Sequence, residues 1–303
     1  MNIEKIEEEI RRLKEEKNAI ILVHNYQRPE IQDIADLLGD SLGLSKEAAK
    51  TDADMIVFCG VSFMAETAKI LSPDKKVLQP SLGAGCELAN KITAQDVKVL
   101  KQKYPDARVV SYVNTTADVK AESDVCCTSA NAVNVVRNIE ADRVIFVPDR
   151  NLASYVQRFV DKEVIPWDAG YCYVHEYITK EEVLKAKEKY PDAVILVHPE
   201  CNPSVIDIAD KVLSTGGMVN LARESDNKRF LIGTEEGIIY RLKKENPEKE
   251  FYPAGRKRFC WDMKMTTLKD VYLCLLDEQY EISLPKGIVD SAKRALEAML
   301  QYT

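Results

Sequence analysis

Apolar residues along the chain follow two alternating patterns, which predict helices and buried strands. The opening segment carries apolar residues at helical spacing, at Ile3, Ile6, Ile10 and Leu13. A short β-branched run at 19–24 is typical of a buried strand. Similar runs follow, and they read MIVFCG, RVVSYV, RVIFVP, AVILVH and RFLIG. Because helical stretches separate these runs, the pattern predicts an α/β protein with parallel sheets and helices on both faces.

Corresponding positions recur at two constant intervals, first 88 and then 86 residues. The strand runs that begin at Ala19, Ala107 and Ala193 show these intervals. Two further sets follow them as well, namely Ser41, Ser129 and Thr215, and Phe58, Phe146 and Ile232. Agreement of many positions on one offset indicates an internal repeat. We therefore expect three similar three-layer αβα domains, arranged with pseudo-three-fold symmetry around a central active site.

The end of the chain begins a fourth copy that is not completed. Thr267, Asp270 and Val271 lie 174 residues beyond Thr93, Asp96 and Val97. We expect this tail to fold back on the first unit and close a ring of three. The predicted domains are residues 1–88 with 262–303, residues 89–174, and residues 175–261.

Polar residues follow the first strand of each unit, where parallel α/β units bind ligands. His24, Tyr112 and His198 end these strands, and their surroundings add Asn25, Tyr26, Asn114 and Glu200. A second set of candidates comprises Ser41, Ser129 and Thr215, which each open a helical segment. Such a hydroxyl can cap its helix, and free helix amides can bind phosphate or carboxylate. Three converging termini predict a pocket for a substrate with several anionic groups.

Cys86, Cys172 and Cys260 form a third set, spaced by 86 and 88 residues. Zinc could take these three thiolates together with His175. A [4Fe–4S] cluster could take the three cysteines and keep one iron open as a Lewis acid. The anion pocket favours the cluster, because a closed structural zinc site would not need substrate groups around it. Gly83 and Gly85 are expected to let the backbone turn before Cys86.

Composition narrows the class of protein. The 303 residues carry a net charge of −7 without a basic cluster, which argues against nucleic acid as a partner. No apolar run approaches the roughly 20 residues of a membrane span, and the acidic start is unlike a signal or transit peptide. We therefore expect a cytoplasmic protein. Eight cysteines are too few for a disulfide scaffold of this length, so Cys59, Cys126, Cys127, Cys201 and Cys274 are interpreted as buried thiols.

The sequence resembles the quinolinate synthase family in motifs that span nearly the whole chain. In the first unit the motifs are VHNYQ.PE.QD.AD..GDSL at 23–42 and V.FMAE.AKIL.PDKKV at 61–77. The second unit carries YVN.TA..K at 112–120, TSANAV.VV at 128–136 and V.FVPDRNLA.YV at 144–156. C.VH at 172–175, VHPEC at 197–201, STGGM at 214–218 and IGTE.G at 232–237 complete the match. Tyr171 departs from the family, which often has histidine there.

This resemblance implies three stacked αβα domains and one [4Fe–4S] cluster held by Cys86, Cys172 and Cys260. It implies a transferase of NAD biosynthesis that condenses iminoaspartate with dihydroxyacetone phosphate into quinolinate, releasing phosphate and two waters. The residues implied to hold the substrates are His24, Ser41, Tyr112, Asn114, Ser129, His198, Glu200 and Thr215. An enzyme that produces the unstable imine is a possible functional partner.

Our hypothesis for the chemistry assigns a role to each catalytic candidate. Glu200 would be the general base, and Tyr26 and Tyr112 would donate or relay protons. His24 and His198 would orient the substrates and stabilise their charge, and the open iron would bind the hydroxyl lost in the last dehydration. Two alternatives stay open, an iron–sulfur hydro-lyase acting on another hydroxy acid and a zinc-stabilised anion-binding protein.

Overall fold

A computed structural model describes residues 3–302 of the chain, and its strands form three parallel four-stranded sheets. The first sheet contains β1 (Ala19–His24), β2 (Leu37–Gly39), β3 (Met55–Cys59) and β4 (Lys76–Leu78). The second contains β5 (Arg108–Tyr112), β6 (Val125–Cys127), β7 (Arg143–Val147) and β8 (Glu163–Pro166). The third contains β9 (Val194–Val197), β10 (Lys211–Val212), β11 (Arg229–Gly233) and β12 (Glu250–Pro253). In every sheet the first and third strands are central, and the second and fourth strands form the edges.

The registers of the three sheets are equivalent. Leu22 pairs with Phe58, Val110 with Phe146, and Leu196 with Ile232. These pairs are separated by the same 88 and 86 residues as the sequence repeat. The predicted α/β class with three similar units is therefore confirmed at the level of strand pairing.

Helices alternate with the strands, as expected of parallel sheets. They are α1 (Ile3–Glu16), α2 (Pro29–Gln32), α3 (Ser41–Lys50), α4 (Ser62–Leu71), α5 (Ala94–Lys103), α6 (Ala117–Ala121), α7 (Ala132–Asn138) and α8 (Arg150–Gln157). The chain continues with α9 (Tyr173–Glu176), α10 (Lys180–Lys189), α11 (Pro203–Ile206), α12 (Thr215–Glu224), α13 (Gly237–Glu245), α14 (Leu268–Asp277) and α15 (Lys286–Leu300). Among residues 3–302, no helix has both the length and the apolar character that a membrane span needs.

The two C-terminal helices pack on different units. Helix α14 lies against α1 and β3, and Val271 and Leu275 join the apolar core on one face of the first sheet. Helix α15 lies against α6 and β6 of the second unit and also contacts α4. Its buried side chains include Leu296 and Met299. The tail therefore bridges the first two units, while the domain boundaries stated above stay a prediction.

Candidate active site

One cavity collects side chains from the carboxyl ends of all three sheets. His24 and Tyr112 end β1 and β5, and His198 directly follows β9. Two residues further along each unit stand Tyr26, Asn114 and Glu200, which are again separated by 88 and 86 residues. These six residues line the cavity together with Ser41, Ser129, Thr215, Cys86, Cys172 and Cys260. Four sets of repeat-related residues thus meet in one space.

The two strand-end histidines are held in the same way. The backbone N–H of Tyr26 donates to Nδ1 of His24 at 3.2 Å, and the N–H of Glu200 donates to Nδ1 of His198 at 3.4 Å. Burial lowers the pKa of His24 to about 4 and that of His198 to about 3. Both rings are therefore neutral near pH 7, with Nε2 carrying the proton. In His198 this nitrogen lies 3.1 Å from Oγ of Ser129.

Of the two roles that the sequence offered for the hydroxyl residues, helix capping is not found for any of the three. Asp40 caps α3 by accepting the Gly43 N–H at 2.9 Å, and Ser214 caps α12 by accepting the Gly217 N–H at 3.2 Å. Ser41 and Thr215 are the first residues of these helices, and Ser129 lies in the turn before α7. Because the preceding residue caps the helix, the side chains of Ser41 and Thr215 are available to line the cavity.

The capping residues also join the first and third units at the rim of the cavity. Oγ of Ser214 donates to Oδ2 of Asp40 at 3.0 Å. A β-carbon at Gly216 would lie 2.5 Å from the same oxygen, so the close approach of these two helix ends depends on glycine at 216. Asp40 lies between the cavity and a more open depression on the surface, to which Lys46 contributes.

Asn25 does not line the cavity but lies behind Thr215, which does. Its side chain is buried, and Nδ2 donates to Oγ1 of Thr215 at 3.0 Å. Nη1 of Arg241 donates to Oδ1 of Asn25 at 2.6 Å and to the carbonyl of Leu38 at 2.7 Å. Asn25 thus orients a hydroxyl from another unit. Asn114 differs from it, because its buried Oδ1 has no hydrogen-bond partner among the described residues.

The three repeat-related cysteines follow the fourth strands, β4, β8 and β12, of their sheets. Burial raises the pKa of the Cys260 thiol to about 12 and raises the pKa of Cys86 and Cys172 strongly. The neighbouring thiols add a smaller upward shift to the pKa of Cys86 and Cys172, and all three thiols line one cavity. Such a group of soft donors suits an iron–sulfur cluster or zinc, since metal binding deprotonates thiols.

The backbone N–H groups of Ala89 and Met263 lower the pKa of the Cys86 and Cys260 thiols and so oppose the effect of burial. This effect favours thiolate, the form that binds a metal group. Gly83 and Gly85 do not adopt the left-handed conformation. Contrary to our expectation, the turn before Cys86 therefore does not depend on the backbone freedom of glycine.

His175 brings a second kind of metal-binding set into the same cavity. Cys172, His175 and Glu200 each offer one ligand atom, and these atoms lie within 4.8 Å of one another. These three residues can therefore hold a metal ion. The five other cysteines are buried and do not line the cavity; Cys201, for example, donates its thiol to the carbonyl of Gly233 at 3.4 Å.

A chain of polar contacts runs behind the cavity lining through the buried Thr234, which sequence reasoning missed. The hydroxyl of Tyr26 lies 2.5 Å from Oγ1 of Thr234, and that atom lies 2.8 Å from Nε2 of His175. Nδ1 of His175 lies 2.7 Å from Oε2 of Glu200, although the two atoms are not aligned as a good hydrogen bond. Thr234 directly follows β11, so attention to the third strands of the sheets would have found it.

The charges around Glu200 decide its protonation. Burial alone would raise its pKa, but the electrostatic effects of His175 and His198 and a hydrogen bond from Tyr112 lower the pKa to about 2. Burial, followed by the charge of Glu200, raises the pKa of Tyr26 and Tyr112 well above the usual value. The cavity therefore holds the Glu200 carboxylate beside two protonated phenols, with Asp40 at its rim.

The fold and the site define the class of protein: a three-unit α/β enzyme whose buried polar cavity is built jointly by three sheets and three cysteines. Residues 8–301 match the family NadA, described as Quinolinate synthetase A protein. The chain belongs to this quinolinate synthase family.

Curated relatives named quinolinate synthase agree over nearly their full length. The chain is 54% identical to the protein of Caldicellulosiruptor saccharolyticus over 304 residues, covering all of both chains. It is 54% identical to that of Methanoregula boonei and 53% identical to that of Thermodesulfovibrio yellowstonii, with 97% of each chain covered.

Proposed function

We propose that this chain is a quinolinate synthase that condenses iminoaspartate with dihydroxyacetone phosphate into quinolinate, releasing phosphate and two waters. The observation that carries the proposal is the single cavity in which three thiols face neutral histidines, hydroxyls and helix termini. Both substrates are anionic, one a dicarboxylate and the other a phosphate ester. The cavity supplies donors suited to anions beside residues suited to proton transfer.

Cys86, Cys172 and Cys260 would hold a [4Fe–4S] cluster. When bound, the cluster would supply an open iron that acts as a Lewis acid towards a substrate hydroxyl. The donor set supports this assignment, because the three thiols come from three units and line one cavity. His175 and Glu200 would stay available to the substrate.

Anion binding would fall to the hydroxyls and histidines. Ser41 and Thr215 are the first residues of α3 and α12, where the amides that Asp40 and Ser214 leave uncapped and the helix dipole favour a negative group. His24 and His198 would donate from Nε2, since Nδ1 of each ring already accepts a backbone N–H. Asn114 would complete the set by donating from Nδ2, while its Oδ1, which has no partner among the described residues, would accept from a substrate N–H or O–H group.

Proton transfer would use Tyr26, Tyr112 and Glu200, with His198 beside them. The raised pKa of both phenols keeps them protonated, so they would act as donors. Glu200 is ionised, but a pKa of about 2 makes it a weak base in the free cavity. An anionic substrate would raise this pKa by repulsion towards the range that a general base needs. Thr234 and His175 would relay the proton between Tyr26 and Glu200.

The test is anaerobic assay of purified protein with dihydroxyacetone phosphate and freshly generated iminoaspartate. Wild-type protein should be brown and should form quinolinate. Glu200→Gln should keep the colour and lose turnover, whereas Cys172→Ala should lose both. Cys201→Ala is the matched control, because this buried thiol lies outside the cavity, and it should keep both. Near-normal quinolinate formation by Glu200→Gln would refute the role of Glu200.

The same samples separate the alternatives. A colourless protein that retains one tightly bound zinc would identify a zinc-stabilised anion-binding protein, an outcome to which the grouping of Cys172, His175 and Glu200 lends some support. A brown protein that dehydrates another hydroxy acid and forms no quinolinate would be a different iron–sulfur hydro-lyase. We further propose a cytoplasmic protein whose unstable imine substrate comes from a separate imine-producing enzyme.

A further inference from the structure

Two buried carboxylates outside the cavity stand at repeat-related positions. Asp149 and Glu235 are 86 residues apart and follow the third strands, β7 and β11, of the second and third sheets. Both side chains are fully buried, and neither belongs to the residues that line the cavity. Burial of a carboxylate is costly unless its oxygens accept hydrogen bonds, so these two need an explanation.

Each carboxylate makes the same pair of backbone contacts, and Glu235 additionally forms an ion pair with Nζ of Lys264, 3.0 Å from Oε1 and 3.1 Å from Oε2. One oxygen accepts a backbone N–H near the start of the following helix: from Leu152 to Asp149 at 2.7 Å, and from Gly237 to Glu235 at 2.7 Å. The other oxygen accepts the backbone N–H of the unit's cavity cysteine. The distance is 3.1 Å from Cys172 to Asp149 and 3.1 Å from Cys260 to Glu235. Both oxygens of each group are therefore used.

The first unit reaches the same end by neutral contacts. Its corresponding position holds Val61. There the carbonyl of Ala84, two residues before Cys86, accepts from the N–H of Ser62 at 2.8 Å and from Nε2 of Gln79 at 2.8 Å. The segment before each of the three cysteines, or the cysteine itself, is thus tied to the sheet, and in two units a buried carboxylate makes the tie.

We propose that Asp149 and Glu235 are positioning residues that fix the backbone of Cys172 and Cys260 so that their sulfur atoms stay in place for the metal group. The inference rests on the proposed function for the identity of that group, but not for the contacts themselves. Each carboxylate links the strand end, the next helix and the cysteine, so its loss would free the cysteine loop while the sheet stays folded.

The variants are chosen to separate this role from helix capping. Asp149→Ser keeps a hydroxyl that can cap α8 but is too short to reach Cys172. Glu235→Gln keeps the size but turns one acceptor oxygen into a donor NH₂ that faces a backbone N–H. Asp124→Asn and Asp210→Asn are the matched controls. Asp124 and Asp210 accept N–H groups of β5 and β9 near the other end of the same sheets, from Val109 at 2.7 Å and Ile195 at 2.8 Å.

The first readout is amide hydrogen exchange of the cluster-free chain. We expect exchange at Cys172 in Asp149→Ser, and at Cys260 in Glu235→Gln, to be about tenfold faster than in wild type, because one hydrogen bond is lost locally. The controls should leave both amides unchanged. The second readout is cluster retention after anaerobic reconstitution, measured as iron and sulfide per chain over time in a chelator. Both test variants should lose the cluster several-fold faster than the controls.

Unchanged exchange at both cysteine amides would overturn the inference, and so would cluster retention equal to that of the controls. Wild-type protein that takes up no iron–sulfur cluster would instead refute the proposed function, while the exchange measurement would still decide the positioning role. If Asp149→Ser does not fold, Asp149→Asn takes its place, because Glu235→Gln also removes the ion pair with Lys264 and does not decide the question alone.

Discussion

Thr234 connects side chains that come from distant parts of the chain. Its Oγ1 lies within hydrogen-bond distance of both Tyr26 and His175, and His175 in turn lies beside Glu200. A hydroxyl can donate and accept at once, so it can pass a proton between a phenol and an imidazole. Among side chains of this size, only serine shares with threonine a hydroxyl that can both donate and accept a hydrogen bond.

Thr234→Val should therefore impair catalysis more than substrate binding. Valine preserves the shape and removes the hydroxyl, so the relay between Tyr26 and His175 is broken. We expect kcat to fall at least about tenfold with a smaller change in KM, in line with the loss of one proton-transfer contact. Steady-state kinetics of quinolinate formation would measure this. Thr234→Ser should recover most of the activity, and equal impairment by both variants would count against the relay.

The buried neutral histidines predict a loss of stability in mild acid. His24 faces Asp40, Lys264 and Glu200, and His198 faces Glu200, His175 and His24, yet burial dominates and lowers both pKa values to about 4 and about 3. Below the unfolded pKa of about 6.5 the unfolded chain binds protons on these rings and the folded chain does not. Stability therefore decreases as the pH is lowered. The free energy of unfolding should drop by about 2 kcal/mol per histidine between pH 7 and pH 5.

Urea denaturation of the cluster-free chain at the two pH values would test this, with His198→Gln as the comparison. The variant should lose about half of the pH dependence. A free energy of unfolding that is the same at pH 7 and pH 5 in wild type would contradict the assignment of neutral rings.

Helix starts repeat along the chain as faithfully as the strands do. Thr93, Thr179 and Thr267 are the N-caps of α5, α10 and α14, and each accepts the N–H three residues further on. At Thr93 and Thr267 the aspartate in that third position accepts the N–H of the threonine in return, which completes a capping box. Helix α14 thus starts like the opening helix of a unit although no complete sheet follows it.

Thr267→Ala should weaken the packing of the tail on the first unit. Loss of an N-cap costs about 1 kcal/mol, and Thr267→Ser should recover most of it because the hydroxyl is what accepts the amide. Equilibrium denaturation would compare the two variants with wild type. An equal loss in both would show that the methyl group rather than the hydroxyl matters.

The elements show which parts of the fold sequence can predict. The six apolar runs correspond to β1, β3, β5, β7, β9 and β11, which are the two central strands of each sheet. Central strands are covered on both faces and therefore read as continuous apolar runs. The second and fourth strands are edges of two to four residues, and such short runs carry no periodicity of their own. Their hydrogen bonds to a central strand define them.

At the scale of the molecule, contacts between units place the site. The repeat indicated that corresponding residues converge, and the cavity does collect His24, Tyr112 and His198. The sequence did not indicate which side chains meet across units, because His175 and Thr234 lack polar counterparts in the other units. The positions that correspond to His175 hold Ala89 and Met263, and those that correspond to Thr234 hold Gly60 and Pro148. Capping by Asp40 and Ser214 was also missed, since adjacent polar residues compete for the same helix end.

Arg241 provides a test of this coupling between units. It donates to Asn25 and to the carbonyl of Leu38, and thereby links α13 of the third unit to the first sheet. Arg241→Ala would leave the buried Oδ1 of Asn25 unpaired, which should cost about 1–3 kcal/mol of stability. It should also raise KM, because Asn25 orients Thr215.

Urea denaturation and steady-state kinetics would measure both effects. Arg223→Ala is the control, because Arg223 makes only an exposed contact to Asn220 and should change neither quantity. Matching stabilities of the two variants would show that the contact from Arg241 does not couple the units.

The cavity is built from three repeat-related sets of residues, so an unsymmetrical substrate could in principle bind in three orientations. The residue sets differ in how strongly they distinguish these orientations. All three units carry the same residue at the cysteine position, so the cysteines define where a bound group is attached but not its rotation. The set of Tyr26, Asn114 and Glu200 places a phenol, an amide and a carboxylate at three corresponding positions. We therefore expect the chemical differences between these three positions to set the direction in which an unsymmetrical substrate lies.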